Sequence, residues 1–413
     1  LIETQGASAG ASRLHGYKWL IDHGWSIYSA TSRYKWPVGK VGVFVVIAWM
    51  ANQGRLAADP LLDGQRVDEI TSNLTAGSGF TPEAHRLIEN AGRCLQGSKP
   101  SGKGFVIDPA VADRLIASNP ANALVVHPYL TGDDINSTIG STATRWIIDF
   151  KDWPIERAAE FVEPFAIVSQ LVRPIRSQIG GRKGKLWWQF EHPARQLYDK
   201  INTLNQVIVI AETSSTMQPA LVSSKQVFSN TAVVVLSDSH RLLAIVSSAV
   251  HYWWSIERGT AFKSDARYQP RRCFETFPFI EPERVDDALG VELATTREIV
   301  SLERNIGLTG VYRLVHTPEI TDRSVTSLRD VHQRIDASMC VDYGWKDLLR
   351  AGLDYGFHET PQGFRYTLGP VVRQEILDRL LKVNHERYAA EQASGAGSKK
   401  RATRRTEQAE LFG

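Results

Sequence analysis

The chain has 413 residues, of which 43% are hydrophobic and 23% are charged. This composition is typical of a globular protein large enough for two or three domains. The net charge of +3 is nearly balanced, but basic residues are concentrated at 173–185, 258–272 and 399–405, and such patches favour phosphate-rich partners.

Cysteine spacing and hydropathy exclude several classes of protein. The three cysteines, Cys94, Cys273 and Cys340, lie far apart, so we expect neither a disulfide framework nor a structural metal site. The longest strongly apolar run, residues 41–50, is about half the length of a membrane helix. We therefore expect a cytoplasmic protein with no membrane partner.

The first third of the chain begins with an α/β pattern and continues as a polar stretch. A helix is predicted over 17–24, a strand over 25–32, and a second strand over 41–50. Because 41–50 lacks polar alternation, we expect it to be buried on both faces of a helix-covered sheet. The polar stretch that follows predicts a linker with helices at 81–91 and 108–118, each with a capping residue before proline.

From residue 125 onward the pattern predicts a second α/β region and then helices. Helical spacing over 154–178 is interrupted by prolines, and an amphipathic helix is predicted over 239–257, capped by Ser237 or Asp238. Residues 281–393 are mostly helical in pattern, and 394–413 are predicted to be a disordered basic tail. Strands are predicted at 145–150, 205–213, 219–223 and 231–238.

Two short motifs imitate known sites. The segment "GSKPSGKG" (97–104) resembles a phosphate-binding loop, but its last position is Gly104 instead of Ser or Thr, and a helix is predicted before it, so a polar loop is favoured. Asp149 and Lys151, with Asp133 and Asp134 upstream, have the spacing of a metal-dependent nuclease. An ordinary strand end is the favoured interpretation there. No histidine pairs with a nucleophile in a recognisable pattern.

Basic and aromatic residues are interleaved in two windows, "RPIRSQIGGRKGKLWWQ" and "RGTAFKSDARYQPRR". Arginine and lysine contact phosphates, while tryptophan and tyrosine stack on or wedge beside bases. The alternatives are that a tryptophan anchors the loop to the core and that the cations form a solvated face. The candidate DNA-binding residues are Arg173, Arg176, Arg182, Lys183, Lys185, Trp187, Trp188, Gln189, Arg258, Lys263, Arg267, Tyr268, Arg271 and Arg272.

Several ordered blocks carry a resemblance to a known family. They include "HPYLTGDDINS", "TRWIIDFKDWPIERAAEF", "VIVIAETS", "FSNTAVVVLSD", "LLAIVSSAVHYWW" and "DARYQPRRCFETFPF", followed by "YGWKDL" and "EILDRLLKVNHERYAAE". Together they resemble the C-terminal half of the type IIL (MmeI-like) restriction–modification enzymes, which are adenine-N6 DNA methyltransferases that use S-adenosylmethionine.

The resemblance implies a fold class and a domain order. The fold class is α/β (mixed α+β), with a remnant of a Rossmann-like methyltransferase sheet, an α/β target recognition domain and a helical C-terminal region. The implied domains are the end of the methyltransferase domain at 1–55, a linker at 56–124, the recognition domain at 125–280, the helical domain at 281–393 and the tail at 394–413. The partner is double-stranded DNA.

The family's catalytic motif, Asn-Pro-Pro-Tyr/Phe, is absent from this sequence, since Asn119 and Pro120 are followed by Ala121. We expect that motif and the cofactor loop to lie upstream of Leu1, and the family's nuclease domain to lie there too. S-adenosylmethionine would then be bound by the complete enzyme, this chain alone would bind none, and it would be inactive by itself.

Three functional hypotheses follow. In the first, the chain is the recognition part of a site-specific adenine methyltransferase from a restriction–modification or phage-defence system, completed by an N-terminal methyltransferase half. In the second, it is a stand-alone specificity subunit acting with a separate methyltransferase. In the third, it is a decayed gene product, whose exposed sheet edge in residues 1–55 would favour aggregation.

Overall fold

A computed structural model describes residues 1–4, 14–36, 44–52, 59–72, 74, 83–262, 265–280, 287–360 and 362–395. Lys263 and the basic tail at 399–405 lie outside these residues. The described chain forms several small sheets and many helices, which confirms the prediction of a mixed α+β fold.

The N-terminal residues form a five-stranded sheet with the order β1-β3-β2-β4-β5. A π-helical turn, Leu14–Lys18, leads into helix α1 (Trp19–Asp22), and the turn after it uses Gly24 at a φ of 83°, a conformation that favours glycine. The strands are β1 (Ile2–Thr4), β2 (Trp25–Lys35), β3 (Phe44–Asn52), β4 (Leu61–Leu62) and β5 (Gln65–Arg66).

Strand β3 is not buried on both faces, so that prediction is wrong. Val46 and Ala48, on one face of the strand, are buried, whereas Trp49, on the other face, is exposed. Because β3 pairs antiparallel with both β1 and β2, the sheet is of the type that covers a core with one face and leaves the other accessible.

The predicted helix at 81–91 is also wrong for the residues described. Residues 83–87 have no regular secondary structure, and only Ile88–Asn90 form a 3₁₀ turn. The backbone N–H of His85 donates to Asn384 Oδ1, and that of Ile88 donates to Glu391 Oε1, both at 2.8 Å. Side chains of the C-terminal helix thus satisfy backbone donors that a local helix would have left unpaired at its start.

The next stretch builds the first elements of a second group of sheets. Helix α2 starts at a proline directly after Asp108, as predicted. The elements are β6 (Cys94–Gln96), β7 (Val106–Ile107), α2 (Pro109–Ser118), β8 (Val126–Leu130), α3 (Gly132–Ser137) and β9 (Arg145–Ile148).

Five short helices follow, and prolines lie in or beside three of them, which confirms the interrupted helical pattern predicted for 154–178. They are α4 (Ile155–Ala159), α5 (Val162–Leu171), α6 (Arg173–Arg176), α7 (Arg182–Lys185) and α8 (Arg195–Ile201).

Three β-branched runs form the predicted strands, but the helix predicted over 239–257 is two helices. Ser248 has a ψ of 154° and separates them, and the cap is Ser239, whose hydroxyl accepts the N–H of Leu242 at 3.3 Å. The elements are β10 (Gln206–Ala211), β11 (Thr213–Ser214), β12 (Ala220–Ser223), β13 (Val227–Phe228), β14 (Ala232–Val235), α9 (His240–Ser247) and α10 (Ala249–Arg258).

The remaining chain is mostly helical, as predicted, with two added hairpins. No described helix is long and apolar enough to cross a membrane. The elements are β15 (Thr260–Phe262), β16 (Asp265–Arg267), α11 (Asp287–Arg304), α12 (Leu308–Val315), α13 (Arg323–Asp342), α14 (Lys346–Ala351), β17 (Gly356–Thr360), β18 (Gly363–Thr367) and α15 (Pro370–Ala393).

The chain divides into two compact units, each built from separate stretches of sequence. One contains residues 1–91, 250–279 and 356–413, and the other contains 92–249 and 280–355. The second unit has an antiparallel sheet, β12-β10-β14-β6, and a mixed sheet, β13-β8-β9-β7. Aliphatic side chains of β10 and β14 fill one of its cores, and Phe105, Ile147 and the two adjacent tryptophans belong to another.

A buried polar chain joins the helices of the second unit to the residues before β12. Arg297 donates from Nε to the Tyr312 hydroxyl at 2.6 Å and from its other nitrogens to Gln218 Oε1 and the Pro219 carbonyl. Tyr312 in turn lies 2.6 Å from His332 Nε2. Burial raises the pKa of Tyr312 to about 12 and lowers the pKa of His332, so the tyrosine hydroxyl donates to a neutral imidazole.

We expect Tyr312→Phe to destabilise this unit, because Arg297 Nε and His332 Nε2 would each lose a buried partner. An unsatisfied buried polar group costs about 1–3 kcal/mol, which corresponds to a thermal midpoint lower by roughly 2–8 °C. Differential scanning calorimetry measures the shift, with Tyr28→Phe at an exposed position as the control. Equal midpoints for the two variants would contradict this account of the polar chain.

Candidate nucleic-acid interface

The segment 173–186 forms a compact turn that we call the basic turn. Helices α6 and α7 form its two sides, and no acidic residue occurs between 173 and 190. The turn needs glycine at two positions. Gly181 has a φ of 76°, and a Cβ on Gly184 would lie 2.0 Å from the Ile179 carbonyl oxygen.

Arg176 holds the basic turn from the inside. Its side chain is only 2% exposed, and its guanidinium donates to four backbone carbonyls. These belong to Trp187 (3.2 Å) and Gln189 (2.5 Å) after the turn, and to Pro100 and Ser101 (3.3 Å) of a distant segment. Burial lowers the pKa of Arg176, but an arginine remains charged. The predicted phosphate contact at Arg176 is therefore replaced by a structural role.

The two adjacent tryptophans and Gln189 are buried as well. Trp188 Nε1 and Gln189 Nε2 both donate to the Trp153 carbonyl, at 2.9 and 3.1 Å. Trp187 packs against Phe165 with ring centroids 5.4 Å apart. Both tryptophans anchor the segment to the core, which is the alternative stated for them above, and the amide of Gln189 points inward.

Three cations of the basic turn are exposed, namely Arg173, Arg182 and Lys185. Arg173 also lies 5.6 Å from the Trp187 ring centre, in the geometry of a cation–π contact. These three side chains are the part of the first basic window that is most available to an anionic partner.

Lys183 differs from these three because it shares a carboxylate. Its Nζ lies 3.2 Å from Glu191 Oε2, and Lys99 Nζ lies 3.5 Å from the same atom. Hydrogen bonds from Ser101 and Lys183 lower the pKa of Glu191 to about 2. The Lys183 ammonium is therefore directed toward a carboxylate of the protein and is less available to an external anion than the three exposed cations.

The second basic window lies in the other compact unit. Tyr268 is buried, and its hydroxyl lies 3.0 Å from His251 Nε2. Arg258 is half-buried 4.9 Å from the Trp254 ring centre. Lys263 is outside the described residues. Of the other candidates, Arg271 is exposed, and Arg267 and Arg272 are half-buried.

The glycine-rich segment 97–104 is not a phosphate-binding loop. Strand β6, and not the predicted helix, precedes it, and a 3₁₀ turn and β7 follow it instead of a helix N-terminus, which such loops require. The segment is closely packed, since a Cβ on Gly97 would lie 2.3 Å from the Ser229 carbonyl oxygen and one on Gly104 would lie 2.4 Å from Leu171 Cβ.

The acidic residues with nuclease-like spacing have structural partners. Asp134 closes the capping box of α3 with Thr131. Asp149 Oδ1 accepts the N–H of Lys151 at 2.8 Å in a turn where Lys151 has a φ of 54°. Burial raises the pKa of Asp149 to about 6. Within the described residues no three His, Cys, Asp or Glu side chains are grouped to hold a metal ion.

Comparisons with known proteins agree on one family. The family model of the MmeI target recognition domain matches residues 78–281. Among solved structures, the chain is similar to the type IIL restriction-modification enzyme MmeI in complex with DNA, with a TM-score of 0.68 and 17% identity over 94% of this chain and 49% of that chain. A comparison with curated proteins finds no match.

Residues 78–281 are therefore an MmeI-like target recognition region. The structural likeness extends the shared fold to 94% of the chain. The chain spans about half of that MmeI structure, covering 49% of its length. The matched range includes the basic turn and the segment 97–104 that Arg176 ties to it.

We expect Arg176→Met to loosen the basic turn, because four buried carbonyls would lose their donor at a cost of roughly 2 kcal/mol or more. Limited trypsin digestion measures this as faster cleavage after Arg182, Lys183 and Lys185. Arg173→Met, which changes an exposed neighbour, is the matched control. Equal cleavage rates for the two variants would show that Arg176 does not hold the turn.

Asp149→Asn should stabilise the protein at neutral pH but not at acidic pH. The folded-state pKa of about 6 lies above the usual 3.8, so between these values the folded protein keeps a proton that the unfolded chain has released. Stability therefore falls as the pH rises from 3.8 to about 6 and is constant above that range. The full effect is roughly 3 kcal/mol. Thermal midpoints between pH 3.5 and 8 measure it.

The exposed Asp113→Asn on α2 is the control for the Asp149 experiment. Its midpoint should follow that of the unchanged protein across the pH range. A stabilisation by Asp149→Asn that does not depend on pH would show that burial does not penalise this carboxylate.

Proposed function

We propose that residues 78–281 recognise a sequence in double-stranded DNA, as the target recognition domain of a type IIL restriction–modification enzyme. The observation that supports this most directly is the match of the MmeI target recognition domain over this range. The basic turn lies within the same range and presents Arg173, Arg182 and Lys185, which is the charge that a duplex requires.

The candidate residues divide by position into contacts and supports. In the proposed complex Arg173, Arg182 and Lys185 contact phosphates, and Lys183 joins them by exchanging Glu191 for a phosphate oxygen. The buried side chains Arg176, Trp187, Trp188 and Gln189 fix the turn. The exposed Arg271 and half-buried Arg258, Arg267 and Arg272 are proposed as further phosphate contacts.

Sequence choice requires side chains that reach base edges in a groove. Gln189 is not proposed for this role, because its amide donates to the Trp153 carbonyl inside the protein. Phosphate contacts position the protein and carry no sequence information directly. The basic turn is accordingly proposed to set the register of the protein on the duplex.

We further propose that the complete enzyme is an S-adenosylmethionine-dependent adenine-N6 methyltransferase, active with a methyltransferase half or subunit that supplies the cofactor and catalytic motifs. The described residues do not fit the cofactor. Their glycine-rich segment after a strand, 97–104, is filled by neighbouring backbone at Gly97 and by Leu171 at Gly104.

Salt dependence tests the proposal. Replacing Arg173, Arg182 and Lys185 together with alanine should weaken binding to duplex DNA and reduce the slope of log K against log salt by about 2–3, since each phosphate contact contributes roughly 0.9. Fluorescence anisotropy between 50 and 300 mM salt measures both quantities.

The matched control removes three charges elsewhere in the same unit, with Arg114→Ala, Lys225→Ala and Arg323→Ala at exposed positions. It has the same net charge as the test variant, so it separates position from total charge. Failure of the unchanged, folded protein to bind duplex DNA at low salt would contradict the proposed function. Equal slopes for the two variants would contradict the role of the basic turn.

A further inference from the structure

The stretch that runs from helix α5 through α6 has an inverted polarity at its end. Val168, Val172 and Arg176 follow one another at intervals of four residues and are all buried, so the inward row ends in a charged side chain. The outward row at the same spacing is aliphatic. Leu171, Ile175 and Ile179 are 51%, 66% and 42% exposed.

This outward row, the aliphatic stripe, is held in place by the backbone. The N–H of Ile179 donates to the Arg176 carbonyl at 2.9 Å, and Gly184 packs against the Ile179 carbonyl. Leu171 Cβ packs against Gly104. Contacts on both sides of Arg176 along the chain thus fix the backbone from which the aliphatic groups project.

Three exposed cations lie close to the stripe along the chain. Arg173 lies between its members, and Arg182 and Lys185 lie in the returning part of the turn. Exposed aliphatic side chains grouped in this way mark an interaction site, and the cations beside them are complementary to a polyanion rather than to another apolar protein surface.

We propose that the aliphatic stripe is an apolar contact surface for duplex DNA, which rests on the proposed function above. Ile175 and Ile179 are covered by the groove wall, where the deoxyribose carbons are apolar, while the neighbouring cations contact phosphates. Aliphatic side chains are used in this way by proteins that bind in the minor groove or at base steps.

The two kinds of contact respond differently to salt. Phosphate contacts release counterions and set the salt slope, whereas burial of aliphatic groups is independent of counterions. The double variant Ile175→Ser/Ile179→Ser should therefore weaken binding by roughly tenfold at every salt concentration, without a change in slope.

The experiment measures anisotropy with a fluorescent duplex between 50 and 300 mM salt, using the full chain. Val162→Ser is the control, because Val162 is an aliphatic residue 72% exposed at the start of the preceding helix, α5. The proposal would be supported if the plot of log K against log salt for the double variant were parallel to that of the unchanged protein but lower, with no such displacement for Val162→Ser.

Three outcomes would overturn the proposal. One is affinity unchanged at every salt concentration while the unchanged protein binds with a steep slope. Another is an equal loss for Val162→Ser. The third is self-association of the unchanged protein, seen by analytical ultracentrifugation and abolished by the double variant without loss of DNA affinity, which would assign the stripe to a second copy of the chain. Absence of DNA binding by the unchanged protein would instead contradict the proposed function itself.

Discussion

The candidate interface depends on the buried guanidinium of Arg176. Its hydrogen bonds reach carbonyls in two segments that are distant in sequence. One contains Pro100 and Ser101, and the other contains Trp187 and Gln189. A buried cation is costly unless its donors are satisfied, and here backbone oxygens accept from both terminal nitrogens, while Nε has no hydrogen-bond partner among the described residues. The planar fork of arginine suits several fixed acceptors at once in a way that lysine cannot match. The Arg176 side chain thus ties helix α6 to the glycine-rich segment 97–104 and to the residues 187–189 that contain the two tryptophans.

This anchoring explains why the basic turn can present both charge and aliphatic groups. Arg176 occupies an inward position, whereas Ile175 beside it in α6 and Ile179 just after α6 face outward, opposite to the usual arrangement. The exposed cations are fixed relative to the apolar row, so a partner would meet a preformed surface. A preorganised surface loses less conformational entropy on binding than a flexible basic loop would.

Much of the fold was predictable because local pattern and tertiary structure agree. The β-branched runs at 206–211, 220–223 and 232–235 are strands, and a proline starts α2 as expected. The failures have local physical causes. Ser248 breaks a continuous amphipathic pattern with its own extended backbone and a hydroxyl bond to the Ile245 carbonyl. The backbone of His85 and Ile88 finds partners 299 and 303 positions away.

The sequence located the candidate site, but it did not give the roles of the individual residues in it. Clustering of cations beside paired tryptophans pointed to the basic turn, yet the same letters cannot show that Arg176 and Gln189 point inward while Ile175 and Ile179 point outward. The signal that could have found this is the four-residue spacing of Val168, Val172 and Arg176, which places the arginine on the buried row.

Hydrogen–deuterium exchange with and without duplex DNA tests most directly the claim that the basic turn meets the nucleic acid. The account predicts slower exchange of amides in 177–186 when DNA is bound, at a salt concentration where the duplex is saturated. Binding accompanied by protection elsewhere in the chain, with no change at 177–186, would contradict it.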